Sequence, residues 1–207
     1  MLQFQNKREV TICAGTGQTG KSTFAIRYLL NAPLAVRYVF DDEGEYSQRL
    51  GIAPAGNAYD LNKALLTGWV LFDPDVLFPG RHADAFKFFC DWAFQTASCI
   101  PGKKVLVADE IWRHCTPQSI PDELANVCQT GRKRGLGLMV NTQLPTALNR
   151  SLLSLCSEMI FFRLNFDAAL DLAARRGFDP DQVKTLPDLH FISRTDQGGE
   201  LRGVIEI

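Results

Sequence analysis

No apolar run in this 207-residue chain reaches the ~18 to 20 residues of a membrane span, because Asp73, Asp75 or Asp109 breaks each of the most hydrophobic stretches. Excess charge of either sign is missing too. With 22 Lys and Arg against 23 Asp and Glu, the formal net charge is -1, so the surface as a whole is no trap for polyanions and any nucleic-acid contact is local. No CxxC pair occurs among Cys13, Cys90, Cys99, Cys115, Cys128 and Cys156, and no secretory-type segment precedes them. That pattern fits buried free thiols in a reducing compartment, and Cys115, His114 and Cys128 match no common zinc-ligand spacing. Repeats and linkers are also lacking, so a single domain over residues 1–207 is expected.

What remains is a globular composition, 46% hydrophobic with 14 phenylalanines, enough for a well-filled core. Short apolar runs alternate with amphipathic segments, the signature of an α/β sheet crossed by helices. Strands are expected at Glu9 to Ala14, Ala35 to Asp41, Trp69 to Asp73, Lys104 to Asp109, Gly137 to Thr142 and Met159 to Leu164. Helices are expected at Lys21 to Asn31, Leu61 to Leu66, Ala83 to Ser98, Pro121 to Thr130 and Asp167 to Arg176. His190 to Arg194 and Leu201 to Ile207 flank Asp196-Gln197-Gly198-Gly199, which predicts a closing hairpin.

The most specific signal is Gly15-Thr16-Gly17-Gln18-Thr19-Gly20-Lys21-Ser22, the GxxxxGK[ST] pattern, with a strand leading in and a helix that begins Ser22-Thr23 leading out. A triphosphate carries dense negative charge that backbone N–H groups meet at close range only where side chains do not intervene. Glycines allow that approach, the helix N-terminus adds partial positive charge, Lys21 reaches the β and γ phosphates, and the Ser22 hydroxyl is a ligand for Mg²⁺. ATP and Mg²⁺ are therefore the expected ligands.

Lys104-Val105-Leu106-Val107-Ala108-Asp109-Glu110 has the form of a Walker B strand, expected next to the cradle. Asp109 is expected on the metal and Glu110 as the base for the attacking water. A carboxylate placed to activate water favours hydrolysis over transfer to a small acceptor. Gln143, at the end of the following strand, is either a sensor of the γ phosphate or a cap for the segment before Pro145. Gly131-Arg132-Lys133-Arg134-Gly135 either complements a helix dipole or offers Arg132 or Arg134 as an arginine finger to a neighbouring subunit. Asp41, Asp42, Glu43 and Glu45 read as solvated loop acids, or as groups at the nucleotide edge or a subunit interface.

In order, these motifs resemble the FtsK/HerA superfamily of ring-forming DNA translocases, and in size the one-domain genome-packaging ATPases of icosahedral viruses with an internal membrane. The likeness rests on Gly15 to Ser22, the acidic turn Asp41 to Ser47, Val105 to Glu110, Gly131 to Gly135, and Asn141-Thr142-Gln143 before Leu144-Pro145, with a short helix at Leu148 to Cys156 following. It implies a RecA-like (ASCE) P-loop NTPase domain with a mostly parallel sheet and a C-terminal hairpin. It also implies a hexameric ring that hydrolyses ATP between subunits, drives double-stranded DNA into a preformed capsid, and docks on capsid-vertex or viral membrane proteins, in the host cytoplasm and the virion. Arg81-His82 and Lys103-Lys104 are candidate DNA contacts. Two other readings stand beside it: a nucleoside or nucleotide kinase, and an ATP-switched assembly protein.

Overall fold

A computed structural model describes residues 9–206. The two ends of the expected 1–207 domain, including Ile207 of the closing hairpin, lie outside the described residues. The chain runs β1 (Val10–Ala14), α1 (Lys21–Asn31), β2 (Val36–Phe40), α2 (Glu45–Leu50), α3 (Ala58–Thr67), β3 (Trp69–Phe72), α4 (Pro74–Leu77), α5 (His82–Ala97) and β4 (Lys104–Ala108). It continues through α6 (Asp122–Thr130), β5 (Leu136–Thr142), α7 (Arg150–Leu155), β6 (Glu158–Phe161), α8 (Asp167–Arg175), α9 (Pro180–Thr185), β7 (His190–Thr195) and β8 (Glu200–Val204).

The strands form one sheet in the order β3-β2-β4-β5-β1-β6-β7-β8. Pairing is parallel from β3 through β6, then antiparallel to β7 and β8, the expected hairpin. Among the described residues, no helix is long and apolar enough to cross a membrane.

Period-two alternation sorts the strand side chains into two cores. Val36, Tyr38, Phe40, Leu106, Ala108, Leu138, Val140 and Phe161 face one side, where α5 adds Phe86, Phe89 and Ala93. Cys13, Val39, Val107, Met139 and Ile160 face the other, under α1 and α2. Burial on both faces is why these strands read as near-continuous apolar runs.

Strands expected to include Asp41, Asp73 and Asp109 stop one residue short of each, because these carboxylates leave the ladder. Asp73 caps α4 by accepting from Asp75 N (2.9 Å). Asp41 is buried and accepts from Tyr46 N, Ser47 N and Ser47 Oγ, which ties down α2. The helices α2, α4 and α9 were not expected. At four to six residues each they are too short to show a 3.6-residue period, and their caps are their main signal.

The sheet order corrects one expectation. The strand ending in Asp109 and Glu110 is not the neighbour of β1; β5 lies between them. Two strand spacings therefore separate β1 from β4, about 10 Å.

Candidate active site

At the carboxyl edge of the sheet, residues 15–20 cross from β1 to α1. Gly15 N donates to Thr142 O at the end of β5 (3.2 Å) and Thr16 N donates to Arg163 O beyond β6 (2.9 Å), so the loop is tied to both flanking strands. A Cβ on Gly15 would lie 2.6 Å from Phe162 Cβ and 2.9 Å from Thr19 Oγ1, a space only glycine fits. Gly20 enters α1 at φ 114°, and Gln18 holds φ 62° without being glycine. Thr19 is buried; its hydroxyl donates to Thr16 O (2.8 Å), and its carbonyl accepts from Leu189 N (2.9 Å).

Lys21 Nζ turns back onto Thr16 O at 2.9 Å, and burial draws its pKa down while Glu110 and Asp109 oppose that shift. Ser22 Oγ donates to Asp109 Oδ2 at 3.4 Å. Burial first, and the charge of Glu110 second, push Asp109 up to about 6. This is a pair of hard oxygen donors with an unfavourably desolvated anion, a donor set that fits Mg²⁺.

Glu110 holds the left-handed conformation (φ 42°, ψ 47°), is 5% exposed, and opens the 3₁₀ turn Ile111–Arg113. Its Oε1 accepts from Gln143 Nε2 (2.7 Å), and its Oε2 accepts from Trp112 Nε1 (2.6 Å) and Gln143 N (3.3 Å). Gln143 therefore reaches the acid, and the capping role belongs to Thr142, whose Oγ1 accepts from Leu144 N (3.0 Å).

Around these groups lies a cleft of about 420 Å³, lined by Gly17, Gln18, Gly20, Lys21, Ser22, Thr23, Glu43, Glu45, Asp109, Glu110, Gln143 and Leu189. Expected residues from four segments thus meet in one place. Gly15 and Thr16 stay beneath it as scaffold, Thr16 facing an adjoining cavity with Glu110 and Gln143.

Arg132 and Arg134 do not join them. They line a separate basin with Lys104, Gly135 and Leu136, at the starting ends of β4 and β5, so they sit at the far edge of the sheet from their own chain's cleft. Arg134 donates to Phe94 O (2.7 Å) with its guanidinium 3.7 Å from the Phe94 ring, and so complements the end of α5. Arg132 and Lys133 are exposed.

Two further expectations change. The acidic turn is not simply solvated: Asp41 is buried, the Asp42 side chain is 2% exposed and pairs with Arg113 (2.9 Å) and His82 (2.8 Å), and Glu43 pairs with Arg113 (2.6 Å). Among the candidate DNA contacts, Lys104 is buried and donates to Ala97 O and Ile100 O, which removes it from any channel surface. Arg81 pairs with Asp84, His82 with Asp42 and Asp75, and Lys103 with Glu9.

Sequence reasoning missed Trp112, Arg49 and Leu189. Arg49 bridges Glu45 (2.8 Å) and Thr23 Oγ1 (3.1 Å) at the cleft rim, four residues after its acid on one helix face. Leu189, at φ 64°, packs under Gly20, and only the chain's return through β7 places it there.

This combination of a glycine-lined loop between strand and helix, a parallel sheet with β5 inserted, and acids at the carboxyl edge is the P-loop NTPase fold. Among solved structures, the genome packaging NTPase B204 of Sulfolobus turreted icosahedral virus 2, in complex with ATP-gammaS, superposes with a TM-score of 0.75 at 20% identity over 96% of this chain and 98% of that one. The DNA-packaging ATPase B204 of Sulfolobus turreted icosahedral virus matches with a TM-score of 0.70 at 18% identity, over 98% and 100% of the two chains. The cytoplasmic domain of the Type VII secretion ATPase EccC of Thermomonospora curvata matches with a TM-score of 0.57 at 18% identity, over 95% of this chain and 25% of that one. No family model and no curated protein sequence matches the chain.

Proposed function

We propose that this chain is a Mg²⁺-dependent ATPase that works in a ring, expected to be a hexamer, to drive double-stranded DNA into a viral capsid. One observation carries the proposal: Lys21, Ser22, Asp109, Glu110 and Gln143 converge on a single cleft at the mouth of the glycine loop. The overall likeness to viral packaging NTPases, one of them holding an ATP analogue, supports the nucleotide and the biological setting. In that setting the partners are DNA, further copies of the chain, and capsid-vertex or viral membrane proteins, in the host cytoplasm and the virion.

In this reading backbone N–H groups of residues 15–22 and the Lys21 ammonium bind the β and γ phosphates. Ser22 and Asp109 would hold Mg²⁺, which when bound would supply charge neutralisation for the phosphate oxygens. Glu110 accepts a proton from water as the water oxygen bonds to the γ phosphorus and the bond from that phosphorus to the β-phosphate oxygen breaks, leaving ADP and phosphate. The Gln143 amide, now on Glu110, lines the same cleft and would report whether the γ-phosphate position is filled. Arg132 supplies a positive charge to the cleft of the next copy, since its position at the far sheet edge bars it from its own.

ADP release from Mg²⁺-ATP, measured with and without duplex DNA and with no small acceptor present, tests hydrolysis against the kinase reading. Glu110→Gln is expected to lower turnover by about 10² to 10⁴-fold while nucleotide binding persists. An unchanged rate removes Glu110 as the base. Binding with no turnover in the parent protein favours the assembly-switch reading.

A further inference from the structure

Trp112 has no part in the scheme above, yet its indole N–H makes the shortest contact to the proposed base, 2.6 Å to Glu110 Oε2. The contact follows from a local backbone device. Glu110 sits at a left-handed φ of 42°, a backbone conformation that is strained in a residue other than glycine and persists only when its surroundings hold it. That reversal starts the 3₁₀ turn and brings the side chain two residues on back over the acid.

Both flanks of Trp112 are anchored. Ile111 is fully buried in the larger core, and Arg113 is clamped by Asp42 and Glu43 from the turn after β2. The Arg113 guanidinium also lies 5.9 Å from the Trp112 ring. The indole is thus held from its own turn and from the turn after β2, independently of the glycine loop.

Glu110's hydrogen bonds divide unevenly between its two oxygens. Oε2 takes two donors, Trp112 Nε1 and the backbone N of Gln143, whereas Oε1 takes one, the Gln143 side-chain amide. A carboxylate oxygen has two lone pairs, so Oε2 is fully engaged and Oε1 is not. If Gln143 turns its amide to phosphate, Oε1 is freed and Oε2 stays pinned.

We infer that Trp112 is a positioning residue that pins Oε2 of Glu110, so that Oε1 is the oxygen presented to the attacking water. The inference rests on Glu110 being the base, as proposed above. It assigns the two oxygens separate tasks: one holds the side chain against rotation, and the other takes the proton. The side-chain donor on Oε2, Trp112 Nε1, lies outside every motif named in the sequence.

The test has a spectroscopic and a kinetic arm. The chain has three tryptophans, so the ¹⁵N-labelled protein yields three indole N–H signals, and the one lost in Trp112→Phe belongs to Trp112. That signal is expected at the downfield end, as befits a short bond to a carboxylate, and is expected to move upfield in Glu110→Gln. It should hold its position when a non-hydrolysable ATP analogue and Mg²⁺ are added, while the Gln143 side-chain amide signals move. In the kinetic arm Trp112→Phe keeps the ring and removes the donor. Its kcat is expected to fall about tenfold, with KM and analogue affinity within about twofold of the parent.

Either of two results overturns the inference: a Trp112 signal that reverts to the position of a solvent-exposed indole on analogue binding, or full kcat in Trp112→Phe. Both can occur while Glu110→Gln still abolishes turnover, in which case the base stands and the positioning role falls. Conversely, normal turnover in Glu110→Gln removes the base itself, whatever the indole signal reports.

Discussion

Two histidines carry opposite electrostatic work within one neighbourhood. His114 stacks on Phe86 with ring centroids 4.3 Å apart, its Nε2 has no hydrogen-bond partner, and burial pushes its pKa down from 6.5 to about 4. As pH falls from about 6.5 toward 4, the unfolded chain takes up a proton that the folded one refuses, so this residue lowers stability across that window. His82 bridges Asp75 (2.7 Å) and Asp42 (2.8 Å); the bond to Asp75 foremost raises its pKa above 6.5. Its contribution is full below 6.5 and is lost as pH rises through the raised value. Thermal unfolding between pH 5 and 8 checks both signs. His114→Phe should gain most at the acid end, and His82→Asn should lose most there; curves parallel to the parent's at every pH contradict the assignment.

At this scale the cradle and its lysine were legible because the chemistry dictates residue type at fixed spacing over eight consecutive positions. Trp112 and Arg49 were not. A tryptophan beside a core strand is ordinarily a packing residue, and an arginine four residues after a glutamate is ordinarily a surface helix pair. Their roles depend on where Glu110 and Thr23 lie in space.

Among the elements, the long helices and the buried strands matched the sequence pattern to within one residue at most ends, and α3 extended beyond the expected Leu61 to Leu66 at both. Its capping signal explains the earlier start: Asn57 accepts from Asp60 N (3.0 Å), while Gly68 at φ 76° closes the helix.

The closing hairpin carries a packing feature with a measurable consequence. Phe191 and Gly203 are cross-strand partners, and a Cβ on Gly203 would run into the Phe191 ring. The ring therefore lies over the glycine, and it reaches Phe24 on α1 at 5.0 Å edge-on. Gly203→Val should displace Phe191 and destabilise the protein by about 1 to 3 kcal/mol, read as a lower urea midpoint with an unchanged slope. No change in midpoint means that the hairpin is not part of the cooperative unit.

For the molecule as a whole, the separation of two charged ends matters most. The carboxyl edge of the sheet bears Glu43, Glu45, Asp109 and Glu110 in the cleft, and the opposite edge bears Arg132, Lys133 and Arg134 around the basin. That layout suits copies stacked head to tail, with the basic edge of one facing the cleft of the next. The two arginines should then differ. Arg134→Ala loses a hydrogen bond and a cation–π contact within the chain and should cost about 1 to 2 kcal/mol of stability. Arg132→Ala should leave stability within about 0.5 kcal/mol of the parent yet abolish turnover. Mixing Arg132→Ala with Lys21→Ala subunits should restore part of the activity, because each supplies what the other lacks. Mixed assemblies that stay inactive argue against a group shared between copies.

By itself, the amino-acid sequence determined the α/β class, the glycine-rich loop between strand and helix and the identity of the paired acids, because close backbone approach, strand burial and carboxylate chemistry each demand particular residue types at short, local spacings. Only the tertiary structure decided that β5 stands between the loop and the acids, that the Gln143 side-chain amide and the Trp112 indole hold Glu110 from opposite oxygens, and that the basic turn lies at the far edge. Those facts depend on which strands pair and how far apart they lie, and long-range pairing leaves no periodicity along the chain from which it can be read.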